Sequence, residues 1–178
     1  MNEVEQSVKA VAWLGETWGF WIQTGAFVLS AAAAIAVIYF NSRQARRRAT
    51  IDLILHQKGD AVLLENTRIV WELAEKNGTF AQLAKETSSA ECKAVLKVLN
   101  NHEFVALGIR MNAFDQKIYK MSQYSNVMKV WNASDGFIRE LRCLEGKHTL
   151  FQELEWLANQ WDNKPIVKIK HQKFWHIK

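Results

Sequence analysis

Arg142 and His148 are the residues whose types and spacing best suit chemistry. Five residues, Cys143-Leu144-Glu145-Gly146-Lys147, separate them. A neutral imidazole changes protonation near working pH and can take up or return a proton. A guanidinium presents a planar fork of donors that fits a phosphate. Together they would suit acid–base chemistry on a phosphate ester, with His148 moving a proton and Arg142 holding the phosphate. A structural reading competes with this one. Gly146 interrupts the helix between the pair, which makes His148 a turn residue and frees Arg142 to partner a buried carboxylate.

That carboxylate is Glu103. It lies in Leu99-Asn100-Asn101-His102-Glu103, a polar stretch in the middle of a long helical pattern. Glu103 comes four positions after Leu99 and three before Ala106, which puts it with the apolar stripe. A buried carboxylate has to be paired, and Arg110, Arg139 and Arg142 are the candidate partners. The expectation is a structural Glu103–Arg142 ion pair and no catalytic residue. Cys92 and Cys143 are isolated, with neither a CxxC nor a histidine at ligand spacing. No disulfide, metal site or cofactor is therefore expected.

The Arg142/His148 spacing resembles the Arg-x(4–6)-His pattern of HEPN domains, helical bundles that often cut RNA. Such sites usually need two copies brought together by dimerisation. This chain departs from the pattern at Cys143, where active members usually carry a polar residue. The resemblance thus implies at most a divergent site, with a membrane-tethered HEPN-like ribonuclease as the runner-up function.

The elements that would position these residues are helices. Pro165 is the one proline, and no strand-like alternation precedes it. The first helix should run through Arg46 to about Gln57 and stop near Gly59. Asp60 should cap a second helix that stops at Asn77-Gly78. Thr79 should cap a short third one with Phe80, Leu83 and Ala84. Ser88 or Ser89 starts a fourth, with Ser88 and Glu91 at capping-box spacing. Asp115 caps a fifth. A sixth covers Val127 to Leu144, with a break near Asn132–Gly136, and ends at Gly146. Thr149 caps the last, which carries Phe151, Leu154, Leu157 and Trp161. The predicted fold is all-α, a single N-terminal transmembrane helix followed by a cytoplasmic antiparallel helical bundle, HEPN-like in layout.

The membrane assignment rests on Phe20 to Phe40, 21 consecutive positions without a charge. A helix needs roughly 20 apolar residues to cross the hydrocarbon. A cleaved signal peptide would carry its basic residues before the apolar core. Here Arg43, Arg46, Arg47 and Arg48 follow it, whereas Glu3, Glu5 and Glu16 precede it with Lys9. Basic residues stay on the cytoplasmic side, so residues 1–19 should lie outside, 20–40 should span a bacterial inner membrane, and 41–163 should form the cytoplasmic bundle. Trp13, Trp18 and Trp21 at one end and Tyr39 and Phe40 at the other suit the two interfaces.

Within the anchor, Ala26, Ser30 and Ala34 recur every four residues, a small-residue row that lets helices approach closely. Gln23 and Ser30 share that face, with Phe27 between them. A glutamine in lipid needs a partner or water. The expectation is a homo-oligomer in which Gln23, Ala26, Phe27, Ser30 and Ala34 meet neighbouring helices or line a wet passage.

The net charge of +5 is unevenly spread. The bundle is mildly acidic, which excludes a broad nucleic-acid-binding surface. The four arginines after the anchor suit anionic membrane lipid. The tail, residues 164–178, holds five lysines and no acid, together with Phe174 and Trp175. Such a mixture sits at membranes or binds RNA, so direct RNA binding stays open.

Several segments resemble a bacterial family catalogued as domain of unknown function 4760. They are Arg47-Arg48-Ala49-Thr50-Ile51-Asp52-Leu53, Val98-Leu99-Asn100-Asn101-His102-Glu103-Phe104-Val105-Ala106-Leu107-Gly108-Ile109, Trp131-Asn132-Ala133 and Phe151-Gln152-Glu153-Leu154-Glu155. The family name implies no activity. The layout also resembles the Csx accessory proteins of type VI-B CRISPR systems. That likeness implies an oligomeric membrane pore that strengthens antiphage defence beside an RNA-guided effector protein, with Arg142 and His148 as the divergent motif. The function expected on these grounds is a membrane-anchored oligomeric accessory or effector protein, not an enzyme. A structural docking scaffold at the membrane is the other alternative.

Overall fold

The computed structural model describes residues 18–76 and 80–166. Every regular element among them is helical: α1 (Trp18–Gly59), α2 (Ala61–Glu75), a 3-10 turn at Gln82–Lys85, α3 (Ala90–Arg110), α4 (Gln116–Glu145) and α5 (Gln152–Asp162). Thr79, Trp13, the charges before Trp18 and the tail from 167 onward lie outside the described residues.

The chain divides into two units, residues 1–45 and 46–178. The described part of the first is the apolar length of α1. It is long and apolar enough to cross a membrane, with a mean hydropathy of 1.8 over its most apolar window and none of that window buried. Ile22, Phe27, Leu29, Ile35 and Ile38 each expose two-thirds or more of their surface.

The second unit is a helical bundle. α3 is its centre, packing on α2, α4 and α5, while α4 also packs on α2, α5 and the 3-10 turn. Val95, Val98, Leu99, Val105 and Ala106 of α3 are fully buried, as are Tyr119, Val127, Val130 and Phe137 of α4 and Leu154 and Trp161 of α5. These positions follow the helical period, so each helix presents one apolar stripe to the shared core.

The helix starts follow local chemistry. Asp60 Oδ1 accepts from the Leu63 N–H at 3.0 Å. Ser89 Oγ accepts from the Cys92 N–H at 3.0 Å, so Ser89 is the cap and Ser88 is not. Asp115 Oδ1 accepts from Lys117 and Ile118. Each satisfies an amide that the first turn leaves without an intrahelical partner. Gly146 ends α4 at φ +64°, a left-handed conformation that glycine adopts without steric cost.

Two expectations about elements are corrected. The fifth and sixth helices are one, since α4 runs unbroken for 30 residues through Asn132–Gly136. Val130, Ser134, Phe137, Ile138 and Leu141 keep the buried stripe continuous across the weak helix formers, and packing outweighs propensity. Nor does Thr149 cap the last helix. The N-cap position of α5 is Phe151, itself left-handed at φ +56° and without a side-chain cap bond of its own.

Candidate functional site

The missing cap of α5 comes from α3. Glu103 Oε2 accepts from the Leu154 N–H at 2.7 Å, and Oε1 accepts from the Glu153 N–H at 3.2 Å. Burial pushes the Glu103 carboxyl above its ordinary range, against the pull of these two amides. Among the described residues no hydrogen bond or close ion pair joins Glu103 to Arg142, although the Arg142 charge still pulls the Glu103 pKa down. The direct partners of this carboxylate are the free amides at the positive end of the helix. The apolar stripe also falls one position earlier than its expected phase at Glu103. His102 points into the core, 4% exposed, and Glu103 sits on the flank, half-buried.

Arg142 is used nearby. Its Nε and Nη2 donate to the Leu150 carbonyl at 2.9 and 2.7 Å, and Nη2 donates to Glu155 Oε2 at 2.7 Å. The guanidinium thus holds the turn between α4 and α5 against α4. Arg110 takes the remaining acid, donating to both oxygens of Glu153 at 2.8 and 2.9 Å while its guanidinium lies 5.7 Å from the Trp156 ring. His148 is exposed in the turn. Among the described residues no hydrogen bond joins it to Arg142, whose Nε and Nη2 are both taken up by Leu150 and Glu155. Arg139 pairs with Asp135 at the surface.

A second feature went unread in the sequence. A cleft of about 240 Å³ is lined by Gln57, Thr67, Trp71, Asn101, His102 and Asn126, among others. Burial lowers the His102 pKa to about 4, so the ring is neutral at pH 7. Gln57 Nε2 donates to Asn101 Oδ1 at 3.3 Å. His102 Nδ1, Trp71 Nε1 and Asn126 Oδ1 are buried without a partner. The signal for His102 was its position, three after Leu99 and three before Val105. No group of three or more His, Cys, Asp or Glu converges as metal ligands among the described residues.

The residues expected to form the membrane face lie on the first helix. Gln23, Ala26, Phe27, Ser30 and Ala34 are all exposed along α1, as are Arg43 and Arg48, while Arg46 and Arg47 are half-buried. Arg47 lies 3.6 Å from the Asp115 carboxylate. Thr50 Oγ1 accepts from the Asp115 N–H at 2.7 Å and donates to the Arg46 carbonyl at 2.7 Å. These bonds fasten the start of the bundle part of α1 to the turn between α3 and α4.

A membrane-length apolar helix in one unit and an α-helical bundle in the other define the class of protein. The family model for the domain of unknown function DUF4760 matches residues 25–161, and the chain belongs to that family. No curated protein matches the chain, and no solved structure does.

Proposed function

We propose that this protein is a membrane-anchored, self-associating accessory or effector protein rather than an enzyme. The observation that carries the reading is the apolar length of α1, none of whose most apolar window is buried among the described residues. Exposed apolar surface of that extent needs lipid or other helices around it. The arginines at 43 and 46–48 favour a cytoplasmic bundle with the N-terminus outward. The row Ala26, Ser30, Ala34 favours close packing of several anchors, and Gln23 on the same face favours a shared polar contact or a water-lined seam.

The finer reading is that clustered anchors make the membrane leaky in support of an antiphage defence. It rests on the resemblance of the sequence layout to that of the type VI-B accessory proteins. Bundle contacts would raise the local concentration of anchors, which makes the second contact effectively intramolecular. The rival ribonuclease needs a free Arg142, whose donors are directed at Leu150 and Glu155.

The test is expression of the untagged full chain in bacterial cells, followed by alkaline extraction of membranes, particle mass in detergent and dye entry into intact cells. Retention in the membrane and a multimeric particle are expected, with Ser30→Leu plus Ala34→Leu reducing the particle to a monomer while insertion persists. Release into the soluble fraction without detergent overturns the anchor. A monomeric wild-type particle overturns self-association, and unchanged permeability at full assembly removes the pore and leaves a scaffold.

A further inference from the structure

The cleft beside His102 lies wholly within the second unit. Leu63, Leu64 and Trp71 of α2 give it apolar walls, and Asn101 and His102 of α3 and Gln123 and Asn126 of α4 give it polar groups. Apolar walls with a few polar groups held on rigid helices are the usual makeup of a small-molecule site.

The hydrogen bonds made there use up acceptors and leave donors. Asn101 Oδ1 accepts from Gln57 Nε2 at 3.3 Å, and Gln123 Oε1 accepts from Asn126 Nδ2 at 3.4 Å. The NH2 groups of Asn101 and Gln123 therefore have no hydrogen bond among the described residues. His102 is 4% exposed, and its imidazole makes no hydrogen bond there either. Burial keeps the ring neutral, with a pKa of about 4, so one of its nitrogens donates and the other accepts. Trp71 Nε1 adds a further unpaired donor and Asn126 Oδ1 an unpaired acceptor. Buried polar groups in folded proteins are nearly always paired, so this cluster calls for an occupant. One bridging water needs far less space than the cleft encloses.

Size, charge and polarity narrow the occupant. The volume of about 240 Å³ lies below the roughly 300–1,000 Å³ of sites for drug-sized ligands, which suits a molecule of a single ring. The lining holds no carboxylate, and its cation, Lys58, is exposed. A charge moved among these side chains would lose its water without gaining a counter-ion, so the ligand is neutral. Donors outnumber acceptors, so it is rich in carbonyls. A cyclic amide meets all three conditions, with carbonyls and an N–H at its rim and apolar faces for Leu63, Leu64 and Trp71.

We propose that this cleft binds a small uncharged cyclic amide with the chemistry of a pyrimidine base, its carbonyls accepting from Asn101 and Gln123 and its ring N–H donating to His102. The site goes beyond the anchored reading and does not depend on it. A free base and the base of a nucleotide share this chemistry; the phosphate of a nucleotide stays outside the lining.

The experiment is equilibrium dialysis of the detergent-solubilised full chain against radiolabelled uracil. The expected result is saturable uptake with a Kd below about 1 mM that benzoate, a flat anion, does not displace. Uridine and uridine 5′-monophosphate compete if the source is a nucleotide and fail to compete if it is the free base. Gln123→Ala should weaken binding about tenfold, as expected for one lost hydrogen bond. Leu64 is 52% exposed, so Leu64→Trp can fill the cleft without touching a polar group, and it should abolish uptake at an unchanged thermal melt. Absence of saturable uptake overturns the proposal. Displacement by benzoate, or by cyclohexanone as well as by unlabelled uracil, overturns the reading of charge and hydrogen bonds on which it stands. Uptake that survives Leu64→Trp puts the uracil elsewhere and also overturns it. If Leu64→Trp lowers the melt, Gln123→Ala decides, and unchanged affinity in that variant overturns the site.

Discussion

Glu103 on α3 accepts from the backbone amide of Leu154 at 2.7 Å, and with that bond it starts a helix 51 residues further along the chain. The cap is supplied by tertiary structure, so its removal should be felt by two helices at once. Glu103→Ala should destabilise the bundle by about 1–2 kcal/mol, the range for loss of a side-chain cap. Denaturation of the detergent-solubilised chain, followed by tryptophan emission, measures it, since Trp156 and Trp161 lie in α5.

The same carboxyl carries a pH signature. Burial raises its folded pKa above the ordinary 4.5, so the folded chain binds this proton more tightly than the unfolded one. The contribution is fully present below the ordinary glutamate range and is lost as pH rises through the raised folded value. Glu103→Gln should flatten that part of the stability profile. An identical slope in wild type and variant above the ordinary glutamate value of 4.5 would contradict the assignment.

His102 should act with the opposite sign. Its folded pKa is lowered from 6.5 to about 4 by burial. Its contribution is present above the unfolded value and is lost as pH falls through 6.5 toward 4. A shift of that size corresponds to about 3 kcal/mol. Denaturant midpoints at several pH values should show the loss in wild type and a much smaller one in His102→Asn.

Arg142 and His148 should separate in mutagenesis. Arg142→Ala leaves the Leu150 carbonyl and Glu155 without their donor and should cost about 1.5–3 kcal/mol, the range for hydrogen bonds to a charged group. His148→Ala, in an exposed turn, should stay within about 0.5 kcal/mol. Equal losses of a ribonuclease activity in both, at unchanged stability, would restore the catalytic reading.

Gly108 is held to glycine by the Phe114 ring. Gly108→Ala should destabilise by about 1–3 kcal/mol through overpacking, and Gly108→Ala with Phe114→Ala should recover part of it. A thermal melt of the four-member cycle measures the coupling.

Features set within a few residues were legible in the sequence. Asp60, Ser89, Asp115 and Gly146 mark helix ends because a cap or a left-handed turn is a local matter, and the membrane-length apolar helix is legible because its length and composition are local too. Features set by distant partners were not. The continuity of α4 depends on what packs along its stripe. The phase of Glu103 against His102 differs by one residue, about 100° of helix rotation, and only the position of α5 makes the flank the useful place for a carboxylate. The Arg142–His148 spacing was real, but spacing did not reveal that Leu150 and Glu155 would occupy the guanidinium.

The dependence of α5 on Glu103 also has a direction in time. During synthesis Glu103 leaves the ribosome well before Leu154 does, and until then its carboxylate has no amide to hold. A chain interrupted before α5 would show an uncompensated acid beside bare leucine and valine side chains. Unfinished copies would thus carry a visible mark, one that only completion of the last helix erases.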